Sequence, residues 1–181
     1  MSLIRARYLP TRRRSTLKTV PKSPCCPRCR AADILRRVEL VEGHWDPNVG
    51  IGEFAHRLHN AGGMTTFVGR VRGGDGIAEL ELTHYEPLTL FGMEGLADRV
   101  AERWDLLGLL MMHRVGRMQV GEPIVCVSAA GRHRRETIEA VDFCMDHLKA
   151  KSWFWKRELR SNGWRWIEPR ADDYTDLARW V

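Results

Sequence analysis

The chain has 181 residues, 44% of them apolar, and a formal charge of +6. That suffices for one ordinary domain with a core and an extension, and no apolar run approaches the roughly 18–20 residues a membrane-spanning helix needs. The charge is uneven: residues 1–32 hold nine Lys or Arg and no Asp or Glu, so removing that +9 leaves −3 for residues 33–181, which argues against a broad basic face for nucleic acid on the globular part.

Residues 1–34 read as a basic, unordered extension, rich in Arg, Pro, Ser and Thr and without a sustained period. It lacks the apolar centre of a secretory signal. Cys25, Cys26 and Cys29 suggest half a zinc knuckle. A structural zinc wants four ligands at paired spacing, and no second Cys-x-x-Cys follows, so no metal site is expected. Five cysteines at irregular spacing also argue against a secreted disulfide framework and for a reducing compartment, the cytoplasm.

From residue 35 to 181 the pattern is that of one domain. Gly63–Arg72 is apolar and β-branched and breaks at Gly73-Gly74-Asp75-Gly76, a strand entering a glycine loop. Ala78–Tyr85 alternates, with Ala78, Leu80 and Leu82 on one face, and is expected to pair antiparallel with its predecessor. Met93, Leu96, Val100 and Trp104 recur at helical steps, predicting a helix over Gly92–Trp104. Leu109–Val115 and Ile124–Ala129 are strands around a turn at Val120–Pro123. Glu136–Lys151 is helical, with Ile138, Val141, Met145 and Leu148 assigned to its core side. Trp164–Ile167 is a short strand, and Asp172–Trp180 a short helix or ordered tail. Mixed elements without regular alternation predict an α+β fold, a mostly antiparallel sheet with packed helices. There is no dinucleotide-binding glycine fingerprint and no phosphate loop of the Walker type.

Three clusters could carry chemistry. Arg70-Val71-Arg72 ends a strand with two guanidiniums on one side, a bidentate phosphate ligand or simply a solvated strand end. Gly131-Arg132-His133-Arg134-Arg135 opens a helix. Cations there oppose the macrodipole, which a bound anion would compensate. The run Leu148–Glu158 interleaves Lys149, Lys151, Lys156 and Arg157 with Trp153, Phe154 and Trp155. A lysine against aromatic, partly desolvated surroundings loses its proton more readily and can serve as nucleophile or base. The alternative is a helix end with its lysines reaching outward. If the helix continued, Lys149 and Lys156 would share a face. Cys126 and Cys144 sit in apolar contexts and read as core. His147 reads as structural, and His113 as either structural or functional.

Together these segments resemble the large, catalytic subunit of molybdopterin synthase. The resemblance rests on TTFVGRVR (Thr65–Arg72), HYE (His84–Glu86), HRVG (His113–Gly116), MDHLKAKSWFWKRE (Met145–Glu158) and the closing Trp166-Ile167-Glu168 and Arg179-Trp180. It implies an α/β-hammerhead-like fold. It also implies a sulfurtransferase of molybdenum cofactor biosynthesis that converts cyclic pyranopterin monophosphate to the molybdopterin dithiolene. The sulfur would come from the C-terminal Gly-Gly thiocarboxylate of a small ubiquitin-like subunit. Two large subunits would form the central homodimer of a heterotetramer. The substrate site would use Arg70, Val71, Arg72, His133, Arg134, Lys149, Lys156, Arg157 and Glu158, with Lys149 and Lys156 catalytic and neither metal nor other cofactor required. The family often has Pro where Trp153 stands. A helix ending there would return Lys156 on a strand. Glu86–Met93 is longer than in bacterial relatives, implying a different neighbouring loop, and the basic extension has no family counterpart. A non-catalytic scaffold that docks a ubiquitin-like sulfur carrier is the alternative function.

Overall fold

The computed structural model describes residues 34–150 and 153–180, together with the backbone of residues 13–18. Cys25, Cys26 and Cys29 therefore lie outside the described residues. Eight strands and four helices are found among the described residues. Within the basic extension, β1 (Arg13–Lys18) pairs antiparallel with β2 (Leu35–Glu42). Helix α1 (Pro47–His56) follows, capped by Asp46, whose carboxylate accepts the Asn48 N–H at 2.9 Å.

Strands β3 (Gly63–Arg70) and β4 (Glu79–His84) flank the glycine loop, and α2 (Glu86–Arg103) leads to the long β5 (Leu106–Gln119). Then come β6 (Pro123–Gly131), α3 (Arg134–Ala150), β7 (Phe154–Arg160), β8 (Gly163–Ile167) and α4 (Ala171–Ala178). Strand β5 serves two sheets. Its first part lies between parallel β2 and antiparallel β6, with β3 beyond β6. Its last residues, from Gly116 on, pair with β4, which continues to β7 and β8. Gly116 adopts φ 87°, a conformation costly for any residue with a Cβ, where the strand changes partner.

Strand β5 is apolar on both sides because both faces of its first sheet are covered. Leu109, Met111 and Val115 belong to one core with Met93, Leu96 and Val100 of α2 and Val141 and Leu148 of α3. Leu110 and Met112 point the other way, into a smaller core with Phe54 of α1. Among the described residues no helix is long and apolar enough to cross a membrane.

Three expectations are corrected. Strand β4 pairs with β5 and β7, whereas β3 pairs with β6. The glycine loop, with positive φ at Gly74, Asp75 and Gly76, carries the chain from one sheet to the other instead of closing a hairpin. The helix expected from Gly92 begins six residues earlier, so that Glu86–Met93 forms the first turns of α2. Their exposed Leu88 and Phe91 (53% and 74%) break the amphipathic stripe that marks the rest of the helix. Ile138 is 51% exposed, and the buried stripe of α3 runs instead through Thr137, Val141, Cys144 and Leu148.

Candidate active site

Lys149 lies in the last turn of α3 and Lys156 on β7, and the chain reverses between them at Trp153. The two lysines thus converge through a turn and not along a helix. Two contacts hold that turn. Thr89 of α2, fully buried, donates its hydroxyl to the Trp153 carbonyl at 2.8 Å. The indole of Trp153 packs over Gly92, where a Cβ would stand 2.5 Å from Nε1. Phe154 then enters the core formed by Val71, Leu80, Leu82 and Met118. Strand alternation puts Lys156 and Glu158 on the same side of β7 as Phe154.

Charge is concentrated there. Lys149 Nζ is 3.7 Å from Asp173 Oδ1 of α4. Lys156 keeps an exposed flank, yet protein crowds its ammonium, and this desolvation pushes its pKa down. Lys149 adds to the fall and so does Arg170, while Asp173 and Glu158 oppose it. Three cations facing two carboxylates leave a surplus of positive charge suited to an anion.

His113 completes the floor. It is buried and stacked on Phe154, with ring centroids 4.0 Å apart. Burial lowers its pKa to about 4, helped by the Lys156 charge and opposed by a hydrogen bond to the Arg114 carbonyl. A carbonyl only accepts, so Nδ1 donates to it at 3.0 Å and Nε2 is left as the acceptor. Neither Asp173 nor Arg170 was marked by the sequence, and His113 was left open. Their proximity comes from the fold, and no spacing signals it.

The other expected residues divide. Val71 is 4% exposed and inside the core beneath Lys156, so Arg70 and Arg72 turn outward and are exposed. The segment is pinned by Val71 N–H donating to the Glu122 carbonyl and Gly121 N–H to the Val71 carbonyl, at 2.9 and 2.8 Å, and by Arg70 Nη1 donating to the Gly121 carbonyl at 2.9 Å. Glu158 accepts from Arg160 at 2.8 Å. Arg157 lies on the opposite face of β7, paired with Glu81 and stacked over Trp164 at 4.6 Å. His133 and Arg134 are exposed at the start of α3. Lys149 lies fifteen positions beyond Arg134, about 22 Å along the helix axis. Register agrees: Arg70 pairs with Pro123 at one end of β6, and Gly63 with Gly131, next to His133, at the other.

Cys126 and Cys144 are free and fully buried, and burial pushes both thiols up, Cys126 to about 12, so neither supplies a thiolate. His147 is buried, with Nδ1 donating to the Phe143 carbonyl at 2.8 Å, which fits its structural reading. No cluster of His, Cys, Asp or Glu among the described residues could hold a metal ion.

The family model described as MoaE protein matches residues 42–151. The chain is 41% identical to the molybdopterin synthase catalytic subunit of Pasteurella multocida, over 80% of this chain and 97% of that one. It is similar to the molybdopterin biosynthesis MoaE protein of Burkholderia ambifaria, with TM-score 0.66 and 34% identity, covering 80% of this chain and 95% of that chain. At the level of fold alone it also resembles a complex of subunits 1 and 2 of molybdopterin-converting factor from Helicobacter pylori, with TM-score 0.62 and 23% identity over 72% and 90% of the two chains. The chain belongs to the MoaE family, the catalytic subunits of molybdopterin synthase, sulfurtransferases of molybdenum cofactor biosynthesis.

Proposed function

We propose that the lysine cluster binds cyclic pyranopterin monophosphate and the thiocarboxylate tail of a small sulfur-carrier subunit, and catalyses sulfur transfer between them. The convergence of Lys149 and Lys156 through the Trp153 turn carries this reading. Both reactants are anionic, so fixed cations orient them without reorganising at the moment of reaction. Lys156, with its lowered pKa, exchanges a proton more readily than an ordinary lysine, which suits it to acid–base work at the developing oxyanion. Lys149, with 57% of its side chain exposed, is suited to binding the incoming anion. Arg70 and Arg72 supply exposed guanidiniums on either side of Val71, and Glu158 adds a carboxylate whose charge acts on Lys156.

His133 and Arg134 are too far from Lys149 in one chain to hold the same substrate. A pocket containing both sets takes His133 and Arg134 from a second copy, which supports a homodimer with shared sites. The complex from Helicobacter pylori supports pairing with a small subunit and hence a heterotetramer. The catalytic unit in this reading is residues 35–181, with 1–34 a basic extension. Free, buried Cys126 and Cys144 are consistent with a reducing cytoplasm.

The test mixes the full chain, thiocarboxylated small subunit and cyclic pyranopterin monophosphate. Molybdopterin should form with the wild type, and Lys149→Ala and Lys156→Ala should each lower the rate by at least about 100-fold, as loss of a catalytic or charge-stabilising group does. Undiminished product formation by both folded variants would instead identify a docking scaffold.

A further inference from the structure

The last helix brings a carboxylate to the lysine pair, and the way it is held points to a purpose. Asp173 occupies the third position of α4 and does two things at once. Its Oδ2 accepts the Arg170 N–H at 2.9 Å, closing the start of its own helix. Its Oδ1 faces Lys149 Nζ at 3.7 Å. The far end of α4 is fastened to α3. Arg179 Nη2 lies 2.7 Å from Asp146 and 2.8 Å from Asp142, and the Trp180 indole donates to Asp146 at 2.6 Å. Trp180 also packs edge-on against Phe143 and Trp104, at 5.4 and 6.1 Å between centroids. A helix closed at its start by its own cap and fastened to α3 at its end holds its carboxylate at a smaller entropy cost than the one that weakens most surface ion pairs.

We propose that Asp173 is a positioning residue of the sulfur-transfer site: from α4 it holds the Lys149 ammonium and supplies the counter-charge that lets two ammonium groups share one pocket. This rests on the reading of Lys149 and Lys156 given above. The groups facing Lys156 are Lys149 from α3, Glu158 from its own strand, Arg170 and Asp173 from the start of α4, and His113 from β5. Of the two carboxylates, Glu158 is already engaged by Arg160 at 2.8 Å. Asp173 is the one that contacts Lys149. Removing its charge leaves Lys149 and Lys156 repelling each other, and the desolvated Lys156 is the one that yields its proton.

Asp173→Asn separates charge from capping, because an amide oxygen can still accept the Arg170 N–H. The lysine ammonium groups of the full chain, labelled with 13C at Cε, are titrated by NMR, with Lys156→Ala identifying the Lys156 signal. In Asp173→Asn the Lys156 titration should move to lower pH. In the reconstituted sulfur-transfer assay the alkaline limb of the pH–rate profile should move the same way. At neutral pH kcat/KM should fall about two- to fivefold, the size expected of one partly exposed ion pair. Unfolding of the variant should match the wild type. An unchanged Lys156 titration overturns the proposal, whatever happens to the rate. Should the wild type form no molybdopterin, the titration still decides the role of Asp173, so the two readings fail separately.

Discussion

The indole of Trp153 occupies the space that a side chain on Gly92 would need: a Cβ there would come within 2.5 Å of Nε1 and 2.6 Å of Cε2. This contact joins α2 to the turn that separates the two lysines. An alanine for glycine in a helix interior ordinarily gains about 0.5–1 kcal/mol. Gly92→Ala should lose stability instead, because the indole must move while the Thr89 hydroxyl holds the Trp153 carbonyl, and so its backbone, in place. Denaturant unfolding checks the sign. Combining Gly92→Ala with Trp153→Ala should cancel part of the loss, as expected of two residues in contact. A Gly92→Ala chain that simply gains the helical increment would show that the turn is not held there.

His113 should make stability depend on pH. Its folded pKa is about 4, below the 6.5 of an exposed histidine, so the folded state binds fewer protons than the unfolded state between those values. The contribution is whole above about pH 6.5 and is lost as pH falls towards 4, by on the order of 3 kcal/mol. Urea unfolding at pH 7, 5.5 and 4.5 measures the slope. His113→Asn should be less stable at pH 7, through lost stacking on Phe154, but flatter in this range. An equal slope in both proteins would place the titrating group elsewhere.

Asp146 should govern the attachment of α4. Its Oδ2 accepts from both Arg179 and Trp180. Asp146→Ala removes all three bonds, two from Arg179 and one from Trp180, at a cost of roughly 1–3 kcal/mol. The loss should be local: amide exchange in Ala171–Ala178 should speed up while β5 and β6 keep their protection. Uniform loosening of the whole domain would contradict this.

Glu122 and Arg114 form a pair worth more than its neighbours at the surface. Arg114, in the HRVG motif, has a side chain only 5% exposed and lies 3.0 Å from Glu122 Oε2. Glu122→Ala should cost roughly 3 kcal/mol, because a buried guanidinium loses its counter-ion. Arg135→Ala, which breaks the pair with Glu139 from a side chain that is 81% exposed, should change stability by about 0.5 kcal/mol or less. Thermal unfolding of the two variants side by side separates the cases. Similar losses would remove the burial argument.

Much of this molecule is legible along the chain, because local patterns carry it. Alternating Leu80 and Leu82 mark β4, the stripe Met93–Leu96–Val100 marks the inner part of α2, and the run Leu109–Val115 marks a strand buried on both faces. The basic–aromatic run around Lys149 and Lys156 likewise announces itself by composition. Pairing does not. Whether β4 joins β3 or β5 depends on where the glycine loop delivers the chain, and alternation is the same in either arrangement. Ile138 looks like core by spacing and is exposed, because the sheet meets α3 on a neighbouring stripe. The site shows the same division. Sequence supplies the lysines, while only the fold brings His113 beneath them and Asp173 beside them, and only helix length sets His133 and Arg134 apart from them. Side-chain period is a property of a segment, but desolvation, counter-charge and distance belong to residues brought together from remote parts of the chain.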